Sequence, residues 1–113
     1  MALYNDLPVY KAGYDLLAEI FQFVKNFNKE YKYTVGEKLK NETLEMITNI
    51  YRANSRAEKR ELLQSARENI EVIRLLLRLT KDLKQIDLKK FIIINEKIEE
   101  VSKQLAGWQK ASN

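Results

Sequence analysis

The sequence predicts an all-α fold, an up-down-up-down bundle of four helices. Three observations favour it: apolar side chains recur at spacings of three and four along four segments, short polar breaks separate these segments, and the 113 residues include only 3 Gly and 1 Pro. So few turn-forming residues exclude a sandwich or barrel of many short strands. Because the length suits one unit, we expect a single domain over residues 1–113, with helices at about 8–27, 35–53, 57–85 and 88–109.

The first helix is predicted to begin at Pro8, whose fixed φ suits the first helical turn. Its apolar spacing indicates one broad buried side and an outward polar side. The residues expected on the buried side are Tyr10, Gly13, Tyr14, Leu16, Leu17, Ile20, Phe21, Val24 and Phe27. In the connection that follows, Tyr31 and Tyr33 either pack at the start of the second helix or stay exposed for a ligand, and we favour packing.

The second helix begins with the spacing of a capping box, in which Thr34 and Glu37 would each bond the backbone N–H of the other residue. It is expected to end near Asn54, because short polar side chains compete for backbone hydrogen bonds there. Glu42 and Glu45, one turn apart, are expected to face outward. The residues predicted to face inward are Leu39, Thr43, Met46, Ile47, Ile50 and Tyr51.

The third helix carries too many apolar residues for a single narrow face. They are Ile70, Val72, Ile73, Leu75, Leu76, Leu77, Leu79 and Leu83. A helix that is apolar on nearly all sides must be covered on more than one side, and three partner helices of one small chain cover only part of it. We therefore predict that a second copy of the chain covers the rest, and that the protein is a homo-oligomer.

The fourth helix is predicted to start after Asp87, whose carboxylate can cap it. Its apolar residues repeat at alternating spacings of three and four, which suits shallow-angle packing in a bundle. They are Phe91, Ile94, Ile98, Val101, Leu105 and Trp108. The heptad spacing outweighs the local β preference of residues 91–94.

The net charge of +4 is concentrated on the third segment, where residues 55–86 hold eight basic and five acidic side chains. Arginines one turn apart on one face can each hold a phosphate or carboxylate through two parallel hydrogen bonds. This pattern indicates a partner rich in phosphates or acidic groups, and oligomerisation would concentrate the charge further. The alternative is an ordinary solvated helix face. The candidate binding residues are Arg67, Arg74, Arg78, Lys81 and Lys84.

Most familiar catalytic chemistry is excluded because the chain has no Cys and no His. Glu96 and Glu99 lie one helical turn apart. Glutamates with this spacing bind metal ions in some helix bundles, but such sites also use inward-facing His. We therefore expect no enzyme, no cofactor and no metal site; a small di-metal carboxylate enzyme is a weaker alternative. Tyr10, Tyr14 and Tyr51 are expected in the core rather than stacked on nucleic-acid bases.

We expect a cytoplasmic protein with no membrane association. Residues 1–8 lack the basic and apolar pattern of a secretory signal. The longest purely apolar runs, at 75–77 and 91–94, are far shorter than the about 20 residues of a membrane span.

Several runs of the sequence resemble the accessory variability determinant proteins of diversity-generating retroelements. They include LPVYKAGYDLL at residues 7–17, EYKYTVG at 30–36, VIRLLLRL at 72–79 and LAGW at 105–108. No single motif is decisive, but their order and spacing extend over nearly the whole chain. Asn28 stands where that family often has a proline, and the net charge is modest for the family.

The resemblance implies a homopentamer of four-helix bundles, arranged as a barrel with a basic surface. It further implies a non-catalytic adaptor that binds a retroelement reverse transcriptase and RNA or DNA, supporting error-prone cDNA synthesis, with no small-molecule substrate. Arg74 and Arg78 occupy the motif that the family uses for such contacts. The alternative function is that of a structural four-helix-bundle protein associated with intervening sequences of 23S ribosomal RNA genes.

Overall fold

The computed structural model describes residues 7–112, which form five α-helices and contain no strand. The helices are α1 (Pro8–Val24), α2 (Lys29–Lys32), α3 (Val35–Asn54), α4 (Arg60–Asp82) and α5 (Leu88–Ala111). The four long helices pack together in an elongated body of 43 × 23 × 21 Å. The all-α prediction with four packed helices is confirmed.

Each long helix packs against two others, in the closed order α1, α3, α4, α5. Neighbouring helices are antiparallel: an ideal Cβ on Gly13 would lie beside Ile47, whereas one on Gly36 would lie beside Val24. The side-chain bonds across the other three interfaces also join antiparallel helices. They include Glu42–Asn69, Arg74–Glu99, Arg67–Gln109, Lys97–Asp15 and Lys90–Glu19.

The core is a column of aliphatic side chains contributed by all four long helices. Its largest fully buried members are Leu16, Ile20, Leu39, Met46, Ile50, Leu63, Ile70, Ile73, Leu77, Ile94, Ile98 and Leu105. The predicted α5 seam is confirmed, with Phe91 and Trp108 half-buried at its two ends. Within residues 7–112, no helix combines the length and the apolar character needed to cross a lipid bilayer.

Several helix ends differ from the predicted boundaries. The first helix ends at Val24 instead of residue 27, because Asn26 and Phe27 donate to carbonyls three residues back and turn the chain into the short helix α2. Phe27 is nevertheless buried, as predicted. The helix α4 begins at Arg60 instead of residue 57, since the antiparallel chain needs the intervening residues to reverse direction.

The helix α4 ends at Asp82 instead of residue 85 because Lys84 has φ 61°, in the left-handed region. Its N–H donates to the Lys81 carbonyl at 3.0 Å, and the Gln85 N–H donates to the Thr80 carbonyl at 3.0 Å. These two bonds form a Schellman motif, in which glycine is the usual left-handed residue. A lysine at this position therefore stores a small backbone strain.

One of the two predicted helix caps is formed. Asp87 Oδ1 accepts from the Lys90 N–H at 2.8 Å, which confirms the cap of α5. The capping box is wrong: the Thr34 hydroxyl instead donates to the Glu30 carbonyl at 2.9 Å, because α2 ends immediately before it. This bond joins α2 to the start of α3.

The predicted burial of two tyrosines is wrong. Tyr14 is 55% exposed and Tyr51 is 48% exposed, and Phe21 is also on the surface. The buried side of α1 is centred on Leu16 and Ile20 and leaves Tyr14 and Phe21 at the outer margin of the α1–α3 interface. The apolar stripe of α1 is therefore wider than the space that the neighbouring helices can cover.

Gly36 and Gly107 differ in the space available for a larger side chain. A Cβ at Gly36 would lie 2.8 Å from Val24 Cγ1 and 3.2 Å from the Tyr31 carbonyl oxygen, whereas a Cβ at Gly107 meets nothing within 4 Å. We expect Gly36→Ala to lower the free energy of unfolding by about 1–3 kcal/mol through overpacking. Gly107→Ala should raise it by about 0.5–1 kcal/mol, because alanine loses less backbone entropy in a helix.

Urea unfolding followed by circular dichroism, at one protein concentration, measures both changes. Equal effects of the two substitutions would contradict the close approach of α1 and α2 to α3 at Gly36.

Candidate functional site

The five predicted binding residues do not share one role in the structure. Arg74 donates to Glu71 on its own helix at 3.3 Å and to Glu99 on α5. Its side chain is two-thirds buried between the two helices, and two carboxylates balance its charge. Arg74 therefore ties α4 to α5.

Two further candidates also hold α4 against α5. Arg67 donates to Gln109 on α5, which in turn donates to Gln64 at 3.1 Å. The ammonium of Lys81 lies 4.9 Å from the ring centroid of Phe91, within the range of a cation–π contact. These cations are already engaged in interactions between the helices.

Arg78 and Lys84 remain open to solvent. The Arg78 side chain is 77% exposed, and its nearest carboxylate, Asp82, lies 4.0 Å away on the same helix. Lys84 is exposed on the α4–α5 turn and has no ion pair within residues 7–112. Of the predicted set, these two make no hydrogen bond, ion pair or cation–π contact with α5 among residues 7–112.

A second group of basic residues, of which the sequence analysis named only Lys84 as a binding candidate, lies at one end of the bundle. The Asn28 N–H donates to Gln85 Oε1 at 2.7 Å and so joins the α1–α2 turn to the α4–α5 turn. Exposed or half-exposed lysines lie on both turns, on α2 and at the start of α5. We call this region the lysine end and define it by Lys25, Lys29, Lys32, Lys84 and Lys89.

An apolar groove lies on the outer side of the α1–α3 interface. It has a volume of about 210 Å³ and is lined by Tyr14, Leu17, Ala18, Phe21 and Leu44. Three of these side chains are exposed despite their size, so one copy of the chain does not bury them. We call this surface the α1–α3 groove.

A second apolar surface lies on α4. Leu75 is 66% exposed, Leu79 is also on the surface, and Leu76 is only partly buried. The prediction that a single copy leaves part of the third helix uncovered is therefore confirmed for Leu75 and Leu79. We call these two side chains the α4 ridge.

A buried polar network joins α3 to α4. Asn69 Nδ2 donates to Glu42 Oε1 at 2.9 Å, and Asn49 Nδ2 donates to Asn69 Oδ1 at 2.9 Å. Lys38 Nζ lies 3.5 Å from the other oxygen of Glu42. The prediction that Glu42 faces outward is wrong, because its position on α3 faces Asn69 across the α3–α4 interface.

The network has no free group that chemistry could use. All buried side-chain nitrogen and oxygen atoms in the described part of the chain have hydrogen-bond partners. Over the same residues, no group of three or more Asp, Glu, His or Cys side chains is placed to hold a metal ion. The network therefore fixes the alignment of α3 with α4.

A model of the family described as bAvd-like matches residues 9–112 of the chain. The match extends from the first turn of α1 to the end of α5 and so includes the whole bundle. It confirms the resemblance that the sequence runs indicated. No curated protein matches the chain.

The network predicts a graded response to substitution. Asn69→Ala should lower the free energy of unfolding by about 1–3 kcal/mol, because the buried Glu42 carboxylate loses a donor. Asn49→Ala should cost less, since Asn49 is half-exposed and water can replace its bond. The double variant Glu42→Leu/Asn69→Leu should be close to wild type, because both buried polar partners are removed together.

Urea unfolding at a fixed protein concentration distinguishes these cases. The assignment of Asn69 as the central donor is wrong if Asn49→Ala costs as much as Asn69→Ala.

Proposed function

Because the chain belongs to the bAvd-like family of accessory variability determinants, we propose that it is a non-catalytic, oligomeric adaptor for a retroelement reverse transcriptase and nucleic acid. The match over residues 9–112 carries this proposal. In this role the protein holds the polymerase and its RNA or DNA together during mutagenic cDNA synthesis. The exposed cations and the uncovered apolar surfaces described above support a role in binding.

The two apolar surfaces support self-association. The α1–α3 groove and the α4 ridge belong to different helices and differ in shape, one concave and one projecting. A ridge on one copy that fills a groove on the next makes a heterologous contact, which closes a ring when repeated through the right rotation. Burying a leucine contributes about 1.5–3 kcal/mol. A ring is also the arrangement that the family resemblance implies, with five copies.

The exposed cations support contact with an acidic or phosphorylated partner. Arg67, Arg74 and Lys81 already bond to α5, so we assign them to the stability of the bundle. Arg78 is free to form two parallel hydrogen bonds to a carboxylate or phosphate. We therefore propose Arg78 as a contact to the polymerase on the α4 surface.

The non-catalytic part of the proposal rests on the side-chain chemistry. The sequence has no His or Cys to serve as a base or nucleophile near neutral pH. Among residues 7–112, the one strongly buried carboxylate, Glu42, already accepts from Asn69 and lies near Lys38. A reverse-transcriptase gene with template and variable repeats beside this gene favours the adaptor, whereas a position inside a 23S ribosomal RNA gene favours the ribosomal alternative.

Self-association predicts a solution mass well above that of one chain. Five copies of the 13.4-kDa chain have a mass of about 67 kDa. Leu75→Glu/Leu79→Glu should lower the mass measured by multi-angle light scattering, because the ridge then carries two charges.

Lys103→Gln/Lys110→Gln is the matched control, since it changes the net charge by the same amount outside both apolar surfaces. A wild-type mass of 13.4 kDa at micromolar concentration would contradict the oligomer.

Single substitutions separate binding from stability on α4. Arg78→Ala should weaken binding to the purified reverse transcriptase about 10-fold or more, since a charge-assisted bond contributes about 1.5–3 kcal/mol, and should leave unfolding nearly unchanged. Arg74→Ala should lower the free energy of unfolding by about 0.5–1 kcal/mol because it breaks ion pairs on both helices.

Surface plasmon resonance and urea unfolding measure the two effects. Unchanged polymerase binding by the Arg78 variant would remove the proposed contact.

A further inference from the structure

We propose that the lysine end binds single-stranded nucleic acid, with its unpaired lysines on the phosphates and Tyr33 stacked on a base. The inference rests on the proposed function and deepens it. It assigns the nucleic-acid contact to the turns at one end of the bundle instead of to the α4 arginines. The charge pairing, the bond between the two turns and the exposure of Tyr33 each support it.

The lysine end brings together lysines whose charge no acidic side chain balances. Elsewhere, three ion pairs between neighbouring helices balance basic residues of α4 and α5. These pairs are Lys97–Asp15, Lys90–Glu19 and Arg74–Glu99. At the lysine end, all five defining lysines have no ion pair to any residue from 7 to 112. They are Lys25, Lys29, Lys32, Lys84 and Lys89.

Acidic residues only partly offset this charge. Asp87 uses a carboxylate oxygen to cap α5, and Asp82 lies nearest to Arg78. Glu37, on the first turn of α3, pairs with Lys40 at 3.1 Å, which leaves Glu30 without an ion pair among residues 7–112. The cations therefore outnumber the acids, and their joint field favours a polyanion.

The backbone of the two turns that carry lysines is held by a hydrogen bond between them. The hydrogen bond from Asn28 to Gln85 links residues 57 positions apart in the chain. Gln85 also donates to the Leu83 carbonyl at 3.0 Å, within the turn that holds Lys84 in its left-handed conformation. An open depression of about 550 Å³ lies beside Lys81 and Lys84 on this turn. Phosphates would therefore meet lysines whose backbone is already fixed.

Tyr33 gives this end a surface on which a base can stack. The ring is 66% exposed, although the sequence favoured its packing. Tyr31, two residues earlier, packs against the core, so that it anchors α2 while Tyr33 stays outside. The ammonium of Lys32 lies 6.0 Å from the centroid of the Tyr33 ring. Cations beside an exposed aromatic ring are typical of surfaces that bind single strands.

The pairing of Tyr33 with lysines favours a single strand over a duplex. A base can stack on a protein ring only when it is not stacked within a helix. A duplex would use the lysines alone and leave Tyr33 without a partner. The chemistry is common to RNA and DNA, so the experiment includes both strands.

The opposite end of the bundle supplies a matched control. Arg56, Lys59 and Arg60 are also basic, but Glu58 and Glu61 alternate with them. The Lys59 ammonium donates to the Arg56 carbonyl, and the Arg60 N–H is bonded to Glu58 at 3.4 Å. Replacing these three residues removes the same charge as replacing three residues of the lysine end.

The test measures the binding of the assembled protein to fluorescent 20-nucleotide oligouridine, oligothymidine and a duplex of equal length. The lysine-end variant is Lys29→Ala/Lys84→Gly/Lys89→Ala, and the control is Arg56→Ala/Lys59→Ala/Arg60→Ala. Glycine at 84 keeps the left-handed turn, so the fold is preserved. Light scattering confirms that both variants assemble as the wild type does.

We expect the lysine-end variant to bind both single strands at least 10-fold more weakly at low salt, and the control to change by less than 3-fold. If three phosphate contacts are lost, the slope of log affinity against log salt should become shallower by about 2. Tyr33→Ala should weaken single-strand binding by about 5-fold or more without changing duplex binding, and Tyr33→Phe should retain it. Tighter binding of oligouridine or of oligothymidine shows whether the surface favours RNA or DNA. Either result supports the proposal if the binding is weakened by Tyr33→Ala.

Equal losses in the lysine-end variant and the control would overturn the proposal, because net charge alone would then explain binding. An equal effect of Tyr33→Ala on the duplex would also overturn it. If the wild type binds none of the three oligonucleotides, the nucleic-acid part of the proposed function fails as well. Wild-type binding that is insensitive to the lysine-end substitutions overturns only this inference.

Discussion

One constraint governs this bundle: a helix in a square of four can bury only the side that faces the centre. The helix α4 is apolar on more than that side. The core takes Leu63, Ile70, Ile73 and Leu77, and Leu75 and Leu79 are left on the surface. The α1–α3 groove arises in the same way, because the apolar stripe of α1 is wider than the contact with α3. Surfaces of this kind are unfavourable in water, so they favour association with another protein surface.

The basic residues of the bundle fall into two groups, those in ion pairs between helices and those without an ion pair. Antiparallel neighbours bring acids and bases of different helices together, and the resulting pairs hold α1 to α5 and α4 to α5. The five lysines of the lysine end, by contrast, have no ion pair among residues 7–112. The same residue type is therefore structural in one place and available in another. Arg74 and Arg78, one turn apart on α4, illustrate the difference.

These two features are consistent with the adaptor role that we propose for this member of the bAvd-like family. The sides of the bundle carry the apolar surfaces through which copies can join, and one end carries cations and an exposed tyrosine. Self-association through the sides would leave the ends of the helices free, and repeating the lysine end around a ring would add its charges together. The buried network of Glu42, Asn69 and Asn49 fixes the alignment of α3 with α4 and thereby the relative positions of these surfaces.

The sequence by itself determined the helical fold, the apolar excess of α4, the α5 seam and the family, because these depend on spacing along one helix and on local sequence. Only the tertiary structure decided which cations are free and which polar groups are buried. The same local spacing allowed Glu42 to face water and Tyr14 to face the core, and the neighbouring helices reversed both. The predicted up-down-up-down order already places Lys25 and Lys84 at one end, but only the structure shows the bond that joins their turns. Ion pairing and burial depend on the residues of the facing helix, and the spacing of residues along one helix does not show which residues those are.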